Sequence, residues 1–176
     1  MADKQALLEF QAHLAERLRV ARTGTAAASW LAVRAGPARL LIPLSHAAEI
    51  FPWSEVQHVP HVQPWFLGVT NLRSTLCGVV DLAAFLGGQS VAARSPAALA
   101  QCRLVGFNAL LEVNCALLVD ELLGMRTTEA FVRSTPPAPS EPPYFGHAYV
   151  TAGGESWREL NLQVLAQQSG FLDVGA

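Results

Sequence analysis

Short apolar runs separated by turn residues make up most of this chain. About eight to ten such runs are rich in β-branched and aromatic side chains, and turn signals recur roughly every 8 to 12 residues. That spacing is typical of an all-β barrel or sandwich. Residues 29–34 and 38–44 form a predicted hairpin with Ala35-Gly36-Pro37 as its turn. Further strands are predicted at 53–59, 102–108, 114–119, 125–132, 144–151 and 156–160.

The connections between these runs are predicted to be turns and surface loops. Residues 89–101 have no clear hydrophobic period, and residues 120–124 read as a tight connection. Residues 108–114 are expected to form a turn with strand extensions, because Leu110 and Leu111 are too apolar for a free loop. Five prolines keep one stretch out of any sheet interior: Pro136, Pro137, Pro139, Pro142 and Pro143.

Both ends of the chain carry helical patterns. Residues 4–22 predict an amphipathic helix, because apolar residues recur at spacings of three and four: Leu7, Phe10, Leu14 and Leu18. This helix either packs on its own domain or binds a partner, and the pattern fits both. At the other end, Asn161 is a suitable N-cap for a helix over 162–169, and Gly170 is placed to end it.

The stretch 65–87, WFLGVTNLRSTLCGVVDLAAFLG, predicts strand, turn, strand and short helix in close succession. Gly68 lies inside the first strand, where a lone glycine indicates a bulge or a close backbone approach. Asp81 stands at the N-cap position of the helix and Gly87 at its end. The polar break between the two strands consists of Asn71, Arg73 and Ser74.

This stretch resembles the signature of the CheW-like domain, the adaptor fold of bacterial chemotaxis. Family members carry W-x-x-G-V-x-N-L-R-G, a few residues, then P-V-V-D-L and a helix ending in L-G. Two positions depart from that pattern: Ser74 replaces a glycine and Gly78 replaces a proline. A turn that needs φ > 0 costs serine more than glycine. The matching positions are Trp65, Gly68, Val69, Asn71, Leu72, Arg73, Val79, Val80, Asp81, Leu82, Leu86 and Gly87.

Residues 42–51 match another part of the family pattern, a strand followed by a short turn that ends in V-x-E-I. The corresponding ending here is Ala47-Ala48-Glu49-Ile50, and Ser45 could cap one helical turn before it. The run 75–78 is most similar to the PilI branch, the adaptors of type IV pilus signalling.

The resemblance extends over about residues 29–168 and implies a particular fold. Two small five-stranded β-barrels would pack side by side around a shared core, with an added N-terminal helix and a C-terminal helix. We therefore divide the chain into an N-terminal helix and linker (1–28), a CheW-like domain (29–170) and a tail (171–176).

Composition narrows the classes of function. A net charge of −2 with a single lysine argues against nucleic-acid binding, which needs a basic surface. No apolar segment is long enough to span a membrane and no signal peptide is evident, so a cytoplasmic protein is expected. Apolar runs contain all three cysteines, which are expected to be buried free thiols: Cys77, Cys102 and Cys115.

Catalytic and metal-binding patterns do not emerge from the sequence. The common nucleophile, zinc-protease, P-loop and dinucleotide motifs are missing. His46, His58 and His61 have no nearby cysteine or carboxylate pair to complete a metal site. The acidic pair Asp120-Glu121 is interpreted as a solvated turn. The prediction is a non-catalytic binding protein without metal or cofactor.

The resemblance implies an adaptor that bridges a chemoreceptor and a CheA-type histidine kinase, recruited to membrane receptor arrays. The kinase would pair through its own CheW-like regulatory domain, and the receptor would place the tip of a helical hairpin between the two barrels. Glu49 and Arg73 match positions where a Glu–Arg pair joins neighbouring strands at the receptor groove. Positions near the family's contact surfaces are Ala47, Ile50, Gly68, Val69 and Asn71.

Alternative hypotheses stay open from the sequence. A small β-barrel ligand carrier or enzyme would have the same strand pattern, and saturable ligand binding or turnover would reveal it. A CheV-type regulator is disfavoured, because the chain is too short for a receiver domain and lacks its acidic cluster.

Overall fold

The computed structural model describes residues 29–87 and 94–176, and these ranges form a mainly β structure of two sheets. The six-stranded sheet has the order β8-β1-β2-β11-β10-β9, and the five-stranded sheet has the order β3-β6-β7-β5-β4. Neighbouring strands are antiparallel except for the pairs β2–β11 and β5–β7. The strands are β1 Ser29–Ala35, β2 Ala38–Pro43, β3 Ala47–Pro52, β4 Phe66–Leu72, β5 Thr75–Asp81, β6 Arg103–Phe107, β7 Cys115–Val119, β8 Glu121–Thr127, β9 Arg133–Thr135, β10 Phe145–Val150 and β11 Ser156–Leu160.

Helices in the described ranges are short. They are α1 Leu82–Gly87, α2 Pro96–Gln101, α3 Leu162–Leu165 and α4 Ser169–Leu172, with 3-10 helices at Ala109–Leu111 and Thr128–Ala130. None of them is long and apolar enough to cross a membrane. The predicted N-terminal helix over 4–22 lies outside the described residues.

The five-stranded sheet rolls round so that its two end strands approach each other. The segment that follows β3 runs beside β4, and the Gln57 N–H donates to the Val69 carbonyl at 2.7 Å while the Val69 N–H donates back at 2.9 Å. One residue further on, the Thr70 hydroxyl donates to the Glu55 carbonyl at 3.1 Å. These bonds occupy backbone groups that an edge strand would leave open.

The two end strands of the six-stranded sheet, β8 and β9, are consecutive in the chain. After β8, a single 3-10 turn leads directly into β9, and the Val132 N–H donates to the Val150 carbonyl of β10 at 2.9 Å. The predicted number of five strands is therefore correct for one sheet and one strand short for the other. The extra strand is β9, a three-residue edge strand that ends where Pro136 removes the next backbone donor.

Three hydrophobic clusters explain why the sheets pack as they do. Successive side chains of a strand point to opposite faces of its sheet. One face of each sheet therefore packs around a small cluster of its own, and the other face packs around a larger cluster shared with the other sheet. The six-stranded sheet encloses Trp30, Ala32, Leu41 and Trp157. The five-stranded sheet encloses Leu72, Val79, Cys102, Leu104, Ala116 and Leu118. The shared cluster includes Leu31, Val33, Leu40, Ile42, Val80, Val105, Leu117, Val119 and Leu160.

The end of the chain closes one side of the shared cluster. The ring of Phe171, 3% exposed, stacks on Trp65 and on Phe107 with centroid distances of 6.2 and 5.9 Å. The stretch 171–176 that we set apart as a tail thus contributes to the core.

Several predicted connections are in fact regular structure. Residues 46–51, expected to be a turn, overlap strand β3 (Ala47–Pro52), and residues 120–124, expected to be a connection, contain the start of β8. The loop over 89–101 includes α2, which Ser95 caps through its hydroxyl and Pro96 opens. Conversely, the strand predicted at 53–59 has only the single bridge at Gln57.

Two further corrections concern apolar residues and the last helix. Leu110 is 85% exposed in a 3-10 turn, although its apolar side chain suggested a strand extension. Asn161 does cap α3, accepting from the Val164 N–H at 3.0 Å. The predicted helix over 162–169 is nevertheless two separate turns, and Gly170 lies inside the second of them.

A buried ionic cluster connects the two sheets. The Arg94 guanidinium binds Asp81, the last residue of β5, and its Nε lies 2.8 Å from Asp120 Oδ1. Asp120 lies where the chain passes from β7 to β8, and it also accepts from the Gly36 N–H in the β1–β2 turn at 2.5 Å. The interpretation of Asp120 as a solvated residue is therefore wrong. Asp81 caps α1 as predicted, accepting from the Ala84 N–H at 3.2 Å, but it has this second role as well.

Candidate interaction site

An exposed ion pair lies where the two end strands of the five-stranded sheet approach each other. Arg73 Nη2 is 2.6 Å from Glu49 Oε1. Glu49 belongs to β3, and Arg73 belongs to the turn between β4 and β5. The pair is therefore present as predicted, but it spans the two ends of the strand order rather than neighbouring strands. The Arg73 side chain is 76% exposed, so its guanidinium has further donors that face solvent.

The turn that presents Arg73 is conformationally demanding. Leu72 pairs with Thr75, which leaves Arg73 and Ser74 as the two central residues, with φ of 48° and 67°. Two positive φ values in a two-residue hairpin loop define a type I′ turn, which matches the twist of its strands and favours asparagine and glycine. Ser74 keeps this conformation despite its side chain.

Replacing Ser74 with glycine is expected to raise the free energy of unfolding by about 0.5–1 kcal/mol, because the left-handed conformation costs glycine nothing. Chemical denaturation of the two proteins measures the difference. The matched control is Ser156→Gly in β11, an exposed strand position where glycine should instead destabilise by a similar amount. Destabilisation by both substitutions would contradict the strained-turn interpretation.

Depressions lie on both sides of the ion pair. One has a volume of about 250 Å³ and the other about 400 Å³, and both are lined by Glu49, Phe51, Leu72 and Arg73. Since Arg73 and Glu49 are part of both, the pair forms a polar bridge across one continuous, shallow surface. A surface of this form suits a protein segment better than an enclosed small molecule.

Four of the predicted site residues come together here. Glu49, Ile50, Asn71 and Arg73 all line the larger depression. Ile50 is 39% exposed and contributes an apolar contact beside the charged pair. The arrangement can therefore offer a bidentate cation, an amide and an aliphatic side chain to one partner.

The other three predicted residues lie elsewhere. Ala47 packs against the shared cluster, and Val69 is bonded to Gln57 through its backbone. Gly68 is needed for a bulge, but the close approach is made by the same chain: a Cβ there would lie 2.2 Å from the Gln57 carbonyl oxygen. The close backbone approach indicated by the sequence is therefore made by Gln57 of the same chain.

Sequence reasoning missed residues that line these depressions. Pro52 and Ser54 belong to the larger one, and Thr75 belongs to the smaller one. The alternation of exposed positions along β3 could have indicated Pro52, had that segment been recognised as a strand. Ser54 had no such signal, because its position depends on how the sheet closes.

The thiols in the smaller depression are not activated for nucleophilic attack. The depression is lined by Cys77 and Cys115, and burial raises the pKa of the Cys115 thiol to about 12. Burial also raises the pKa of Cys77 and of Cys102. Within residues 29–87 and 94–176, no three His, Cys, Asp or Glu side chains are grouped so as to hold a metal ion.

Thiol labelling at pH 8 is expected to distinguish the cysteines. With a pKa of about 12, only about one Cys115 in 10,000 is a thiolate at that pH, so Cys115 should stay unmodified while the half-buried Cys77 reacts first. Mass spectrometry after iodoacetamide treatment identifies the labelled residues, and Cys77→Ser should remove the fast product. Early modification of Cys115 in the native protein would show that this part of the core opens readily.

Comparison with known proteins agrees with this architecture. The CheW-like domain family model matches residues 29–169. The chain belongs to the CheW-like domain family. Protein PilI of Pseudomonas aeruginosa strain PAO1 is 30% identical over an alignment 183 positions long that covers 99% of each chain. The crystal structure of the scaffolding protein TtCheW from Thermoanaerobacter tengcongensis has the same fold, with a TM-score of 0.65 over 82% of this chain and 95% of that one, at 16% identity.

Family membership fixes the general role. This CheW-like protein is a non-catalytic scaffold adaptor of chemosensory signalling. A CheW-like domain generally binds CheA-type kinases and chemoreceptors. The exposed Glu49–Arg73 surface is consistent with that role, since it offers recognition groups without a nucleophile or an acid–base pair.

Proposed function

We propose that this CheW-like protein couples a chemoreceptor to a CheA-type histidine kinase in the pathway that controls type IV pili and twitching motility. The pilus assignment is supported by 30% identity to PilI along the full length of both chains. The protein would act in the cytoplasm and join receptor arrays at the membrane through its partners.

The observation that carries the receptor part of the proposal is the exposed Glu49–Arg73 pair. Glu49 Oε1 lies 2.6 Å from Arg73 Nη2, and the Arg73 side chain is otherwise largely exposed to solvent. An orientated guanidinium can bind a carboxylate on the tip of the receptor's helical hairpin, and Ile50 beside it can contact an apolar residue of the same helix. Asn71 completes this receptor face.

The kinase would bind through its own CheW-like regulatory domain, barrel against barrel. A shift of the receptor tip would then move this protein as one body, because the shared cluster and the Arg94 cluster connect the two sheets. Signal transfer of this kind is geometric and requires no chemistry in the adaptor.

Co-purification and a deletion strain test this function together. A tagged copy expressed at native level should retain one chemoreceptor and one CheA-type kinase, and deletion of the gene should abolish twitching while swimming continues. If the deletion abolished swimming and left twitching intact, the protein would be assigned to a flagellar pathway instead. The adaptor proposal is wrong if neither partner is retained, or if the kinase responds equally to the receptor without this protein.

A further inference from the structure

An apolar groove of about 310 Å³ adjoins the smaller depression of the Glu49–Arg73 surface and shares Val113, Asn114 and Cys115 with it. One wall is the β4–β5 hairpin with Val69 and Leu76, and the other is the end of the chain with Leu172 and Val174. Leu76 and Leu172 are 64% and 51% exposed, which is high for large aliphatic side chains on facing walls. The lining residues bring no charged side chain into the groove.

We propose that the N-terminal segment of the same chain covers this groove. Residues 1–28 lie outside the described part of the structure, and the pattern of residues 4–22 predicts an amphipathic helix. Such a helix needs a partner for its apolar face, and the groove needs an apolar occupant. The side chains that would enter the groove are Leu7, Phe10, Leu14 and Leu18.

A series of direct contacts leads from the start of the described chain to the groove. The described chain begins at Ser29, whose carbonyl accepts from the Leu44 N–H at 3.0 Å. Next to Leu44, the Ser45 carbonyl accepts from Asn108 Nδ2 at 3.2 Å. Asn108 begins the connection whose last residues, Val113 and Asn114, line the end of the groove. Ser29 and the groove are thus linked by a few direct contacts, and the linker 23–28 can extend about 20 Å.

Covalent attachment favours this occupant over a separate protein. A segment joined by a short linker has an effective concentration near the millimolar range, which a free partner in the cell rarely reaches. This inference concerns the chain alone and does not depend on the proposed role in signalling.

Photo-crosslinking in the full-length protein tests the contact directly. The variant Phe10→p-benzoylphenylalanine, prepared as a mixture of ¹⁴N- and ¹⁵N-labelled protein, is illuminated and the products are mapped by mass spectrometry. We expect a cross-link within one chain to residues 66–80 or 171–174. The matched control is Glu16→p-benzoylphenylalanine, which places the probe on the opposite face of the predicted helix and should not reach the groove.

A second substitution makes the test quantitative. Leu14→Glu in the Phe10 photoprobe background should lower the cross-link yield roughly tenfold, because a charge replaces a buried aliphatic side chain. Ala12→Glu adds the same charge on the polar face and should leave the yield unchanged. A cross-link to another surface of the chain, or none, overturns the proposal. A cross-link between ¹⁴N and ¹⁵N chains overturns it too, since the groove would then hold a second copy.

Discussion

Replacing Arg94 with methionine is expected to lower the free energy of unfolding by about 3–5 kcal/mol, which is a large part of the stability of a domain this size. The side chains of Arg94, Asp81 and Asp120 are 11%, 5% and 17% exposed, so the cluster is largely shielded from water. Methionine keeps the length of the side chain and removes its charge and its donors. Two carboxylates then remain close together without the cation that both of them bind.

The hydrogen bonds around Arg94 show why solvent cannot easily replace it. Its Nε binds Asp120, and its two terminal nitrogens bind Asp81, with Nη2 at 3.2 Å from Oδ1. The bond to Asp81 is the main reason that the pKa of the Arg94 guanidinium rises above its ordinary value. The cation thus stays charged at any pH at which the protein is folded.

Two substitutions at Asp81 separate its two roles. Asp81→Asn keeps an oxygen that can accept from the Ala84 N–H and removes the charge, so it should cost about 2 kcal/mol through the weakened bond to Arg94. Asp81→Ala removes the cap as well and should cost about 1 kcal/mol more. An equal loss for the two variants would show that the cap contributes nothing.

Urea denaturation of each variant measures these differences, and Arg39→Met is the matched control. Arg39 forms an ion pair with Glu155 at 3.3 Å, but both side chains are nearly half exposed, so solvent screening should hold its cost below about 1 kcal/mol. If Arg94→Met were no more destabilising than Arg39→Met, the cluster could not be an important connection between the sheets.

Local patterns predicted those parts of the fold that depend on neighbouring residues. The β1–β2 hairpin follows from its apolar runs and from Gly36, whose φ of 56° suits a tight turn. The caps at Asp81 and Asn161 follow from their positions before apolar helical residues. In contrast, residues 120–124 are predicted to be a connection, because Asp120, Glu121 and Gly124 resemble a turn. The strand β8 that begins there forms through its pairing with β1, which is distant in the sequence.

Long-range contacts could not be derived in that way. Arg94 is an isolated cation in a stretch without periodicity, and nothing local indicates that two carboxylates from different sheets surround it. The Glu49–Arg73 pair was predicted only because the resemblance supplied it. At Gly68 the close backbone approach is made by the segment at Gln57, which belongs to a closure that no local pattern specifies.

Reversing the charge at Arg73 is expected to weaken receptor binding roughly 10- to 100-fold while the fold and kinase binding are retained. The receptor's carboxylate would then face Glu49 and a second glutamate instead of a guanidinium. The stability of Arg73→Glu should change by less than about 1 kcal/mol, because the Arg73 side chain is 76% exposed and its ion pair is screened by water. Titration of labelled receptor fragments against each protein measures the affinity, and Arg39→Glu on the other sheet controls for net charge.

The double reversal Glu49→Arg with Arg73→Glu shows which member of the pair meets the receptor. If the ion pair serves only to close the sheet, the reversed pair can form again across the same strands, and binding should recover to near the original affinity. If Arg73 binds a receptor carboxylate, its guanidinium is needed in the turn between β4 and β5, and an arginine on β3 cannot supply it from there. We expect the double variant to fold like the native protein and to remain deficient in receptor binding. Full recovery of binding would limit the pair to a structural role and would place the receptor contact elsewhere on the surface.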